Sequence, residues 1–191
     1  MITSFPLHYA LSEALVAAAA TLGIARLIPE NRLGALGLLP FGLAGLIGII
    51  QIAADLTGPI AGFHQFLSRS GAVFGLICLI GAVLPRRDWR PVGIGLAAGA
   101  LVTALPATGM PLFGVLMLSG TICAYRTAPR ATAPIAGAGF ALLAGAQVIA
   151  ASLRPTHPAL AWHLFHIMVA AWLLIVASII LRLRKQEGLP A

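Results

Sequence analysis

Long apolar runs broken by short polar segments dominate the chain. The first run covers about 7–28 and ends at "PENR". A second begins after Pro40 or a little before it and runs toward Asp55, and a third ends at Leu84, ahead of "PRRDWRP". Further runs cover about 92–106, 110–126 and 134–153, and the last extends from Ala159 to Leu183. Runs of roughly 17 to 25 residues are the length an α-helix needs to cross a ~30 Å hydrocarbon core. The pattern predicts an all-α polytopic membrane protein, a single domain over 1–191 built as a bundle of seven transmembrane helices. Glycine and alanine are frequent within the runs ("GIGLAAGALVTALPA", "IAGAGFALLAGAQVIAA"), as expected where helices pack closely without a hydrophobic force between them.

Composition agrees. The chain is 60% hydrophobic and 9% charged, whereas a soluble domain carries roughly a quarter charged residues. The formal charge of +7 would suit nucleic acid, but the basic residues sit at the ends of apolar runs on alternate loops. That is topology information, and a nucleic-acid partner is not expected. Arg26 and Arg32 flank the first loop, Arg86, Arg87 and Arg90 the third, Arg126 and Arg130 the fifth, and Arg182, Arg184 and Lys185 the last run's end. The intervening loops hold Asp55 in one, no charge at 107–110, and Arg154 in the last. Positive-inside counting therefore places the N-terminus out and the C-terminus in. The N-terminal "MITSFPLHYALSEAL" lacks a basic n-region, so a cleaved signal peptide is not expected. Cys78 and Cys123 lie inside apolar runs and read as packed thiols rather than a disulfide.

The second loop has two possible positions. At 55–59 it leaves Arg69 deep in the third helix, a costly place for an unpaired guanidinium. At 65–70 it brings Arg69 to the surface and makes Gly58-Pro59 a kink, and we adopt that placement.

This topology gathers scattered polar residues. All five histidines fall in the outer half, with Glu13 opening the first run and Asp55 near the second outer loop. Ionisable side chains in membrane helices usually face a cavity or a partner. His163 and His166 are three apart and share a helix face. With His64 from another helix they could ligate one metal, leaving the open fourth position of a catalytic zinc. Glu13 or Asp55 would then orient a ligand or act as general base. Alternatively, these histidines hydrogen-bond to loops or headgroups at the interface, which is the simpler reading for His8 and His157.

Seven runs, "ALSEALVAAAA" opening the first, "IAGFHQF" early and "AWHLFHIMVAAWLL" opening the last resemble the CREST superfamily. That group includes alkaline ceramidases, progestin and adipoQ receptors and small bacterial relatives. The resemblance implies a zinc held by His64, His163 and His166, hydrolysis of a lipid amide, and residence in the plasma membrane of a bacterium.

Three functions follow. One is a zinc-dependent intramembrane hydrolase of a lipid amide or ester, its site in the outer-leaflet half and membrane lipid its partner. Another is a b-type haem or electron-transfer subunit with His64 and His166 as axial ligands. The third is a small transporter or accessory protein. Substrate and oligomeric state are open from sequence.

Overall fold

The structure, a computed structural model, describes residues 6–85 and 88–186. It is entirely helical among the described residues. Seven helices follow in order: α1 Tyr9–Leu27, α2 Arg32–Ala53, α3 Pro59–Val83, α4 Arg90–Ala104, α5 Gly109–Thr127, α6 Ala133–Leu153 and α7 Pro158–Gln186. All except α4 are long and apolar enough to cross a bilayer, which makes this an integral membrane protein. Leucines and isoleucines such as Leu11, Leu15, Ile94 and Leu96 stand exposed on the outer faces, where lipid rather than water would meet them.

Three sequence expectations change. Helix α2 begins eight residues before Pro40, because Asn31 caps it. The Asn31 Oδ1 accepts from Gly34 N at 2.9 Å while its Nδ2 donates to the Ala82 carbonyl at 3.1 Å. Pro40 is tolerated inside the helix, as membrane helices allow. The fourth run, expected over about 92–106, is a helix of the same 15 residues' length starting two residues earlier, and it falls short of the length of a membrane span. Finally, the second loop is the earlier of the two positions. Asp55 (φ 48°) and Gly58 (φ 67°) both take left-handed backbone, which a right-handed helix cannot continue, and Pro59 starts α3. Arg69 thus lies inside α3, yet it is exposed rather than buried. It sits on a π-helical turn, Leu67–Gly71, that interrupts the α-helix. The Arg86 and Arg87 used in the charge count lie outside the described residues.

Glycines set how close the helices come. A Cβ at Gly45 would lie 2.9 Å from the Glu13 carbonyl oxygen, and one at Gly37 would lie 2.9 Å from that of Gly75. Backbone therefore touches backbone from α1 to α2 and from α2 to α3. Helix α7 fills the middle, with Trp172, Leu173, Val176 and Ile180 wholly buried. The Trp172 indole donates to the Phe140 carbonyl of α6 at 3.1 Å, so its one polar atom is satisfied.

Successive helices run antiparallel. The start of α2 meets the end of α3 (Asn31 to Ala82), and the end of α3 meets the start of α4 (Gly81 to Pro91). One end of the bundle consequently gathers the starts of α1, α3, α5 and α7. All five histidines lie there.

Candidate functional site

Glu13 is one turn into α1 and only 2% exposed. A carboxylate at that burial needs partners, and two imidazoles supply them. His166 Nε2 of α7 lies 3.2 Å from Glu13 Oε1, and His64 Nε2 of α3 lies 3.7 Å from the same oxygen. Three helices thus converge on one oxygen atom. The space exists because position 48 is glycine: a Cβ there would stand 2.7 Å from Glu13 Cδ.

The protonation of His166 follows from its other nitrogen. Nδ1 lies 2.7 Å from the Trp162 carbonyl, which can only accept, so Nδ1 carries a hydrogen and donates it. Nε2 is then the atom free to exchange a proton with Glu13. As placed, the buried Oε1 makes no hydrogen bond, and its approaches to the two imidazoles are close polar contacts only. The ring is further fixed by Trp162, whose centroid is 4.5 Å away.

His163 does different work. Its Nδ1 is hydrogen-bonded to the hydroxyl of Ser12, which is buried next to Glu13. Its ring approaches His8 at 5.1 Å and Tyr9 at 5.3 Å, while Tyr9 stacks on Trp162. Of the sequence candidates, Glu13, His64 and His166 come together. His163 flanks them through the α1 contact. His157 lies exposed on the turn before α7, and Asp55 is exposed on the α2–α3 loop. Ser12 was not foreseen as a partner. The only sequence signal for it is that it adjoins Glu13.

The fit of a metal or haem follows from these positions. With His163 bound to Ser12, the three histidines do not close on one point. Among the described residues no group of three or more His, Cys, Asp and Glu is arranged to hold a metal ion. The two Nε2 atoms that a bis-histidine haem would need both face the Glu13 carboxylate instead.

The cluster opens on a cavity of about 1070 Å³ between α1, α2, α3, α5, α6 and α7. Its walls mix apolar groups (Phe41, Met110, Phe113, Phe165) with Gln147 and, toward the rim, Arg69 and Arg154. An apolar cavity with a few convergent polar groups is the usual form of a small-molecule site.

No family model, curated protein or solved structure matches the chain. The resemblance to the CREST superfamily rests on its own residues.

Proposed function

We propose that the protein is an intramembrane hydrolase of a lipid amide or ester, working in the Glu13–His64–His166 cluster. We place it with seven crossings, N-terminus out and C-terminus in, which sets the cluster in the outer-leaflet half. The observation that carries the reading is a buried carboxylate, faced by two imidazoles, on a cavity large enough for an acyl chain. Glu13 is the general base. A water in the cavity gives a proton to Glu13 Oε1 as its oxygen adds to the substrate carbonyl carbon. The adduct collapses with cleavage of the C–N or C–O bond, and the leaving amine or alcohol takes that proton back, directly or through His166 Nε2. Trp162 holds His166 in the tautomer this requires. Zinc, which the CREST resemblance implies, enters no step, because the histidines do not fit it.

The test is turnover of a panel of acyl amides and esters by full-length protein in detergent, with zinc and iron measured on the same sample. Release of fatty acid that Glu13→Gln and His166→Ala each abolish supports the reading. Turnover that survives Glu13→Gln would sink it. One zinc per chain lost with His163→Ala would restore the three-histidine metal site instead.

A further inference from the structure

The sequence has twelve basic residues, Lys and Arg together. The structure describes ten of them, and eight (Arg26, Arg32, Arg90, Arg126, Arg130, Arg182, Arg184 and Lys185) lie in or beside the helix ends and loops opposite the histidines. The two exceptions are Arg69 and Arg154, and both line the same cavity. They reach it from different elements: Arg69 from the π-helical turn of α3, Arg154 from the end of α6. A charge rule that sorts the other eight described ones into one end does not explain these two, so a local cause is needed.

Both side chains are exposed, and neither guanidinium has an ion pair or side-chain hydrogen bond among the described residues. Asp55, the acid on the neighbouring loop, pairs with neither. A π turn inside an α-helix recurs at functional sites, and here it falls on the segment that carries Ser68 and Arg69 to the cavity wall. Arginine's planar fork suits phosphate and carboxylate oxygens. The cavity below is lined mainly by apolar side chains.

We propose that Arg69 and Arg154 hold the anionic headgroup, phosphate or carboxylate, of a chain-bearing amphiphile whose apolar tail enters the cavity. This deepens the hydrolase reading by naming the substrate class, and it rests on that reading only for what happens to the ligand afterwards. The headgroup stays at the rim while the chain brings its acyl linkage toward Glu13.

The experiment measures binding without turnover, by calorimetry of full-length protein in an uncharged detergent. The probes are dodecyl phosphate, an uncharged dodecyl glycoside and inorganic phosphate. Dodecyl phosphate should bind well above the glycoside, and each of Arg69→Gln and Arg154→Gln should weaken it roughly tenfold, as for loss of a charge-assisted hydrogen bond. Both substitutions are at exposed positions, and a thermal melt of each variant confirms that it is folded. Equal binding of dodecyl phosphate and the glycoside would overturn the proposal, as would unchanged binding in the double variant. Displacement by inorganic phosphate at the affinity of dodecyl phosphate would also overturn it, assigning the arginines to a free anion. Because no bond is cleaved, a protein that binds the amphiphile and hydrolyses nothing fails the function above while keeping this site.

Discussion

Substituting Gly48 and Gly45 separately divides the site from the scaffold that carries it. In Gly48→Ala the new Cβ meets a side chain, with Glu13 Cδ at 2.7 Å and Oε1 at 2.9 Å. Ordinary contact starts at 3.4 Å, so the carboxylate must retreat by 0.7 Å. A shift of that size is enough to carry the 3.2 Å approach to His166 beyond hydrogen-bonding reach. Misplacing a catalytic group by an ångström costs up to about a hundredfold in rate, so turnover should fall between roughly ten- and a hundredfold. Stability should barely change, since a side chain that can yield keeps the overpacking cost near the low end of about 1–3 kcal/mol, and about 1 kcal/mol of helix propensity gained by alanine offsets it. Gly45→Ala meets the Glu13 carbonyl oxygen at 2.9 Å and the Ala17 nitrogen at 3.0 Å. Backbone cannot swing aside, so α1 and α2 must separate, and the cost reaches the top of that range or more, well beyond what the same propensity gain offsets. The assay is a thermal melt in detergent beside turnover of the lipid amide or ester. Gly45→Ala should melt well below wild type, and Gly48→Ala should melt near it but work poorly. Full turnover by Gly48→Ala, or a wild-type melt for Gly45→Ala, would refute the packing of α1 on α2 described here.

Three further outcomes are expected. Asn31→Ala removes both the cap of α2 and the tie to Ala82, and should cost about 1–3 kcal/mol, read as a shift of the detergent melt. Trp172→Phe leaves the Phe140 carbonyl without its donor and a void beside it, so the melt should drop by a similar amount while the binding of dodecyl phosphate is kept. In intact cells, an impermeant thiol reagent should label a cysteine placed at Thr156, on the α6–α7 turn, and should not label one at Arg130, on the α5–α6 turn. The reverse pattern would invert the proposed orientation.

Much of the fold was legible because apolar length alone marks a membrane helix. Helix α1, expected over 7–28, runs Tyr9–Leu27, and α6, expected over 134–153, runs Ala133–Leu153. Misreadings fell where a local device outweighed hydropathy. Pro40 looked close to a helix start, but the cap nine residues earlier, made by Asn31, is a tertiary contact with Ala82 that no nearby pattern announces. Arg69 looked too costly for a helix, because sequence cannot show that a π turn presents it to a cavity. For the site, the nearness of Glu13, His64 and His166 followed from their shared depth. What separates His163 from His166 did not: at three residues' spacing they share a face, and only the packing of Ser12 against one and Glu13 against the other divides them.

The shortness of α4 bears on where this protein can reside. Its 15 residues rise about 22 Å at 1.5 Å each, against a hydrocarbon core of about 30 Å. Helix α7, by contrast, has 29 residues and overspans that core. In the seven-crossing arrangement proposed above, the bilayer has to dip on the α4 side to meet the helix ends, and each ångström of dip costs a fraction of a kcal/mol. Short-chain lipids relieve that strain and long-chain or sterol-rich ones add to it, so membrane thickness itself becomes a selector of where the chain accumulates.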